Sequence, residues 1–436
     1  MLDINYIRSN KEKVKKIAKD KNIEVDIEKL IKLDSQRKDI KIRIEKLREE
    51  RNNIASQIGK YYADGKTKEA DKLKLKAEAI KKMLQDIEPE YREIDENILE
   101  ISLHIPNIYS KDTPIGADAT KNVVVYQSDK PKKMDFPISD HIQLGKKLDI
   151  LDLERGVKVS GFRGYYLKNE GAILHMALMQ YAFHKMVQKG FSPMIVPTLV
   201  HKHSLIGSGH FPFGKDEIYQ IANPGKLADG SKITENTYLV GTAEPSLLAY
   251  RMDEIIEEKE LPIKMCGFSQ CYRSEVGSYG KDTKGLFRLH EFSKVEQVII
   301  CKDDPYQTDK LFEELRQNAE EILKDLDLSY QVIQICTGDM GAGKYKMYDI
   351  ETWMPSLGKY AETHSNSNLT DWQTRRLNIR YKNQSGEKIY PYALNNTALA
   401  SPRIIIALLE NHQQKDGSIK IPQVLHKYCG FTKISK

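Results

Sequence analysis

Ten apolar residues, Leu73, Ala77, Ile80, Leu84, Ile87, Tyr91, Ile94, Ile98, Ile101 and Ile105, recur at alternating spacings of four and three. A heptad seam of that length demands a long helix with a partner along one face. A looser seam, Ile40, Ile44, Leu47, Ile54, Ile58 and Tyr61, precedes it, and residues 59–67 (GKYYADGKT) read as a turn between the two. The expectation is an antiparallel helical hairpin, an arm of roughly 50 Å at about 1.5 Å per residue, entered through a short helical cap over residues 1–26. Its charge is uneven. From Arg37 to Lys82 there are fifteen Lys and Arg against eight Asp and Glu, whereas from Met83 to Ile105 one arginine faces seven acids. A basic tip on an acidic base suits a phosphate backbone read by shape more than by base identity.

At 436 residues the chain can hold two domains or more. The net charge of +6 argues for RNA only through that clustering. Cys266, Cys271, Cys301, Cys336 and Cys429 form no CxxC pair, so free thiols in a reducing compartment are expected. The opening MLDINYIRSNKEKVKK has charges where a signal peptide needs an apolar core, carries Asp3 and Glu12 where a transit segment is acid-poor, and no window approaches eighteen apolar residues. A soluble cytoplasmic protein without a membrane span is expected.

Residues 106–135 read as a linker carrying one strand, Val123 to Tyr126, residues 171–190 as a helix, and residues 191–199 as a strand ended by Pro197. Residues 266–297 (CGFSQCYRSEVGSYGKDTKGLFRLHEFSKVEQ) read as strand, loop, strand, with Gly277, Gly280 and Gly285 punctuating the connection. Arg273 and Glu275, two apart, would share a strand face, and Arg288, Glu291 and Glu296 would return on the partner. Such mixed charge suits a zwitterionic or phosphorylated ligand. Thr242 and Glu244 are also two apart, and Arg403 stands in the first turn of an apolar helix beginning near Pro402. Two patterns carry little. Residues 338–344 (GDMGAGK) match a P-loop spacing, but Tyr345 stands where Mg²⁺ ligation needs Ser or Thr and the following YKMYDIETW alternates like a strand. His201, His203 and His210 have no cysteine or carboxylate among them at a zinc spacing, so no zinc is expected.

The run YRSEVGS at 272–278, GKDTKG at 280–285 and HEFSKVE at 290–296 closely resembles motif 2 of seryl-tRNA synthetases, which are class II aminoacyl-tRNA synthetases. The helix and proline-ended strand over residues 171–199 are similar to motif 1, and GTAEP at 241–245, ETHSNSN at 362–368 and LNNTALASPRIIIALLEN at 394–411 continue the resemblance in order across the chain. It implies an α+β architecture: an N-terminal tRNA-binding arm over 1–110, a linker over 111–134, and a catalytic domain over 135–436 on a largely antiparallel sheet flanked by helices. It implies a homodimer formed through motif 1, and a serine–tRNA ligase that uses ATP, L-serine and tRNA(Ser), with tRNA(Sec) a further acceptor. Arg273, Arg403 and Glu275 would act in catalysis, Arg273 on the α-phosphate, Arg288 on the terminal phosphates and Arg403 on adenine and the γ-phosphate. Ser274, Phe292, Thr363 and His364 would complete the ATP site, with Glu362 and Ser365 as oxygen ligands for Mg²⁺. Thr242, Ala243, Glu244, Glu296 and Thr397 would receive serine, Thr397 reading its hydroxyl.

The chain departs from the family at Thr363, His364 and Asn366, in a segment that often reads E-I-S-S-C-S-N, and at Asn396, Ala398, Ser401 and Pro402, where the third motif often reads N-G-S-G-L-A-V-G-R. Loss of two glycines there leads to an expectation of slower or altered activation at most. Two rivals are a carrier-protein ligase, which the basic arm opposes, and a non-catalytic RNA-binding paralogue, which would have no physical need for an intact ATP site. Reversing the charge of Lys72, Lys74 and Lys76 is expected to weaken tRNA binding and leave serine-dependent pyrophosphate exchange intact; filter binding and exchange on the same variant decide it, and equal loss of both would refute the role of the arm.

Overall fold

The computed structural model describes residues 1–223, 225–276 and 284–436, which form two compact units: residues 2–19 with 23–105, and Met1 with 20–22 and 106–436.

In the N-terminal unit, α1 (Ile4–Ser9) and α2 (Lys11–Asp20) precede the two long helices α3 (Ile27–Ala63) and α4 (Thr67–His104). Asp26 caps α3, its carboxylate accepting the Lys29 N–H at 2.9 Å. The two seams meet as expected: Ile40, Ile44 and Ile54 pack with Ile80, Leu84 and Ile87, flanked by Leu47, Ile58, Leu73 and Ala77. The turn is tighter than expected. Residues 59–63 stay helical, and the chain reverses over residues 64–66, where Gly65 takes φ +73°. The extra helical turn has its own cross-ties, with Tyr62 Oη donating to Asp71 at 2.9 Å and the Lys74 ammonium 4.8 Å from the Tyr62 ring centre. Pro89 sits inside α4 without ending it. Nearer the base, Asp34 is fully buried and paired with Arg8, with Arg37 at 2.7 Å and with Lys38 at 3.6 Å.

The larger unit is built on one eight-stranded sheet. Its strands are β1 (Val123–Gln127), β2 (Ser192–Ile195), β3 (Ile263–Tyr272), β4 (Glu291–Cys301), β5 (Tyr330–Gln334), β6 (Lys346–Met354), β7 (Lys359–Asn368) and β8 (Tyr392–Ala400). Their order across the sheet is β1-β5-β6-β7-β8-β4-β3-β2, antiparallel throughout except for the parallel β2/β3 edge pair. The strand expected near Val123 is thus an edge strand of this sheet. The helices around it are α5 (His141–Lys147), α6 (Glu170–Gln188), α7 (Glu244–Ala249), α8 (Pro305–Asp325), α9 (Trp372–Arg376) and α10 (Ser401–Asn411). Apolar residues of α6, α8 and α10 close one large core over the central strands, and a smaller core gathers Leu247 and Leu248 of α7 with Val298 and Ile300 of β4.

Alternation along β4 and β8 decides what faces what. On β4, Val295 and Ile299 enter the large core and Val298 and Ile300 the smaller one. The face that holds the smaller core is therefore the face on which Lys294 and Glu296 point. Leu84→Ala, which deletes a buried side chain from the hairpin seam, is expected to cost about 2–4 kcal/mol and to show as helical signal lost at lower temperature than in the parent.

Candidate active site

Tyr272 lies opposite Glu291 and Gly267 opposite Glu296 where β3 pairs with β4, and Glu296 lies opposite Thr397 where β4 pairs with β8. Residues two apart share a face, so Lys294 and Glu296 of β4 join Asn395 and Thr397 of β8 on one side. The other side belongs to α8: Asn396 Nδ2 donates to the Leu315 carbonyl at 2.7 Å, Gln297 Nε2 to the same carbonyl at 3.4 Å, and Asn366 Nδ2 of β7 to the Phe312 carbonyl at 3.0 Å.

On the first side opens a cavity lined by Arg273, Glu275, Arg288, Phe292, Glu362, Thr363, His364, Ser365, Thr397 and Arg403, together with Phe287 and Lys294. Three of its four cations have resident carboxylate partners. Arg288 Nη1 lies 2.8 Å from Glu275 Oε2, Lys294 Nζ 2.9 Å from Glu296 Oε2, and Arg403 Nη1 3.2 Å from Glu362 Oε2 and 2.7 Å from the Glu362 carbonyl. Arg273 Nε donates to the Gly241 carbonyl at 3.3 Å, and its guanidinium stands 5.5 Å from the Phe292 ring centre. The Arg403 guanidinium is 4.7 Å from the Phe287 ring centre. Planar cations held against aromatic faces can also stack on a purine, a task that suits arginine and not lysine.

Beside this cluster lies a buried polar group. Thr397 Oγ1 donates to Glu296 Oε2 at 3.3 Å and accepts from Lys294 Nζ at 3.4 Å. Burial raises the Glu296 carboxyl above its ordinary range, and the Lys294 ammonium pulls it back. Glu244 Oε1 accepts Gln373 Nε2 of α9 and Asn395 Nδ2 of β8, both at 2.6 Å. Thr242 is buried, and its hydroxyl accepts the Glu244 N–H at 3.4 Å.

Several expectations are corrected by this geometry. Thr242 and Glu244 do not share a strand face: residues 241–243 bend and Glu244 opens α7, because Pro245 favours a helix start. β3 ends at Tyr272, so Arg273 and Glu275 are loop residues, and Glu275 takes φ +53°. Arg288 precedes β4. Glu291 is exposed and five residues from Glu296, an odd spacing that puts them on opposite faces. Ala243 presents no side chain to the cavity; it is fully buried, and its Cβ would stand 3.0 Å from any Cβ added at Gly267. The Ser274 hydroxyl donates to the Asp216 carbonyl at 2.7 Å and does not line the cavity. Gly277 and Gly280, two of the three glycines expected to punctuate the connection between the strands, lie outside the described residues.

The family departures have physical places. Asn396 and Asn366 are register partners on β8 and β7, and both donate to α8, away from the cavity. Ala398 is fully buried in the large core at a bulge between Thr397 and Leu399. Ser401 Oγ accepts the Ser293 N–H at 3.2 Å. His364 Nδ1 lies 2.8 Å from Thr363 Oγ1, and burial pushes its imidazole down to about 3, so it meets the cavity as a neutral group. His201 Nδ1 lies 3.2 Å from Glu235 Oε1; His210 pairs with Ser208 Oγ at 2.8 Å, and burial pushes it down to about 4. The 338–344 segment opens no helix and runs directly into β6.

Phe287, Lys294, Asn395, Gln373 and Asp349 escaped the sequence reading. Lys294 and Asn395 stand two positions from Glu296 and Thr397, so alternation alone could have found them. Gln373 reaches Glu244 from a separate helix. Asp349 on β6 is the register partner of Ser365 on β7 and shares its hydroxyl, while its Oδ1 is buried without a partner. Burial, with the nearby Glu362 charge, holds the Asp349 carboxyl well above the usual range. A buried oxygen with no partner beside a carboxylate and a hydroxyl is a fitting donor set for a hard cation.

Residues 1–109 match the seryl-tRNA synthetase N-terminal domain model and residues 227–412 the class II core domain model for the G, H, P, S and T tRNA synthetases. A serine–tRNA ligase of Deinococcus radiodurans is 40% identical over 430 residues, spanning 99% of this chain and 98% of that protein. A crystal structure of seryl-tRNA synthetase from Pyrococcus horikoshii complexed with ATP superposes with a TM-score of 0.85 at 38% identity, covering 100% of this chain and 99% of that one. The cytoplasmic serine–tRNA ligase of Naegleria fowleri in complex with AMP gives 0.83 at 27% identity, over 100% and 99% of the two chains. With this fold, this cavity and relatives that match it from end to end, the chain belongs to the seryl-tRNA synthetase family of class II aminoacyl-tRNA synthetases.

Proposed function

We propose that the chain activates L-serine with ATP, releasing pyrophosphate, and passes the seryl group from the adenylate to the 3′-terminal adenosine of tRNA(Ser). The observation that carries this reading is the convergence of Arg273, Arg288 and Arg403 on one cavity that also meets the buried Lys294–Glu296–Thr397 group. In the first step the serine carboxylate attacks the α-phosphate, two anions that repel, and negative charge grows on the phosphoryl oxygens. Cations already fixed in place meet that charge at little reorganisation cost. Arg273 takes the α-phosphate. Arg288 exchanges Glu275 for the terminal phosphates, and Arg403, backed by Phe287, stacks on adenine opposite Phe292 and reaches the γ-phosphate.

Glu296 and Glu244 supply negative charge for the serine ammonium, and Thr397 pairs with the hydroxyl. Alanine leaves that buried polar group unpaired, which is how a small pocket rejects it. Glu362 and Ser365 would hold Mg²⁺, with Asp349 beside them, and the ion would neutralise phosphate charge. The basic end of the helical hairpin, within residues 1–110, grips the tRNA. The exposed Ile173, Met176 and Val187 of α6 and Ile195 of β2, 77% exposed, supply an apolar face for a homodimer. Five buried free cysteines fit the reducing cytoplasm, and no described helix is long and apolar enough to cross a membrane.

Serine-dependent exchange of labelled pyrophosphate into ATP tests the reading, with alanine, threonine and glycine as controls. Exchange with serine alone is expected; none with any amino acid, from folded protein that binds tRNA, would overturn it. Thr397→Val is expected to lower kcat/KM for serine by about 10- to 100-fold, the equivalent of one buried hydrogen bond left unmade, with ATP binding kept. Asp349 gives a pH signature. Because its folded-state pKa is raised, it favours folding while protonated and loses that contribution as pH rises from the unfolded value of about 3.9 through the folded one. Asp349→Asn should therefore melt higher than the parent at neutral pH without Mg²⁺, the two converging in acid. A variant that melts lower at neutral pH would refute the strained carboxylate.

A further inference from the structure

Outside the cavity, one buried carboxylate ties α10, whose first turn lines the cavity, to α5 and to the turn that leads into β7. Glu410 of α10 is fully buried. Its Oε1 accepts the His141 backbone N–H at 3.0 Å, His141 Nδ1 at 3.0 Å and the Ser356 hydroxyl at 2.9 Å, and its Oε2 accepts the Ser356 N–H at 3.0 Å. Ser356 lies in the turn between β6 and β7, the strands that carry Asp349 and Glu362. His141 passes the connection on: its Nε2 lies 3.2 Å from the Leu286 backbone nitrogen. A backbone N–H can only donate, so Nε2 accepts and the imidazole proton sits on Nδ1, facing Glu410.

Leu286 begins the last three residues that lead to the cavity wall. The Phe287 carbonyl accepts Arg403 Nε at 3.3 Å while its ring lies beneath the same guanidinium, and Arg288 follows, paired with Glu275. Arg403 and Glu410 are seven residues apart on α10, two turns along one face, so one helix face holds both ends of this arrangement. Gly285 is shaped to it as well. It takes φ +63°, and a Cβ there would stand 2.1 Å from His141 Nε2.

We propose that His141 and Glu410 are positioning residues for ATP: they fix the backbone at Leu286 and thereby hold Phe287 beneath Arg403 and Arg288 at the cavity wall. The buried Leu286 N–H needs an acceptor in any case; what ties this one to the nucleotide side is that the next two residues, Phe287 and Arg288, line the cavity. Loosening Leu286 lets both the aromatic support and the phosphate cation drift, and each contributes to the nucleotide side of the site. The serine side, built from Glu244, Glu296 and Thr397 on α7, β4 and β8, shares no hydrogen bond with the pair.

The inference rests on Arg403 being a nucleotide ligand, and the test separates the two claims. Pyrophosphate exchange on the full chain is run with ATP and serine varied in turn, with melting temperature recorded for each variant. His141→Leu, which removes the acceptor, is expected to raise KM for ATP about ten-fold and leave KM for serine within two-fold; His141→Gln, whose amide oxygen can accept the Leu286 N–H, is expected to recover most of the loss. Should His141→Leu not fold, Gly285→Ala, which displaces the imidazole, is read by the same split. Unchanged KM for ATP in the folded variant, or ATP and serine constants that worsen together in step with a lowered melting temperature, overturns the proposal. Arg403→Ala is the reference: if it keeps the parental KM for ATP, the nucleotide assignment itself fails.

Discussion

Like charges crowd this cavity, and the structure depends on how they are kept there before any ligand arrives. Arg288, Lys294 and Arg403 each have a carboxylate within 2.8–3.2 Å, from Glu275, Glu296 and Glu362 respectively. Taking a lone cation out of water is costly, and a resident partner offsets much of that cost. The same pairs make the site responsive, since an incoming phosphate or ammonium can replace a partner that is already charged, with little rearrangement of the backbone. The exception in kind is Asp349, a carboxyl whose neighbours are other acids and a serine, and which burial first and the Glu362 charge second hold above its usual range.

Holding those pairs is the work of the opposite face of the sheet. Central strands rich in Asn, Ser and Thr would be poor strands if their polar side chains had nowhere to bond. Here Asn366, Asn396 and Gln297 are tied to carbonyls of α8, and Gln297 Oε1 accepts Asn318 Nδ2 at 2.9 Å. Departures from the family at Asn366 and Asn396 thus act as one unit, since the two face each other across β7 and β8 and reach the same helix. Both anchor the sheet to α8, and neither lines the cavity. Their effect on catalysis is therefore indirect, through anchoring.

Much of this was legible beforehand. The heptad seam named the residues that pack in the hairpin, because helical periodicity is local and survives in any context. The cavity residues of the second motif were legible through resemblance. Their arrangement was not: Arg273 and Glu275 read as a strand pair and are loop residues, and Thr242 and Glu244 read as strand neighbours although Glu244 opens a helix. Such errors arise where a strand ends, since alternation holds only as long as the chain stays extended and the sequence marks that limit weakly.

By itself, the sequence determined what is periodic or local: the paired long helices, their basic and acidic halves, the strand-loop-strand that carries Arg273 to Glu296, and the proline that opens α10. Only the tertiary structure decided which residues meet across elements. Asp349 reaches Ser365 by the register of β6 on β7, Gln373 reaches Glu244 from α9, and Glu410 reaches His141 across 269 positions of chain. Contacts of that kind follow from strand order and helix packing, long-range choices that leave no spacing in the sequence to be read.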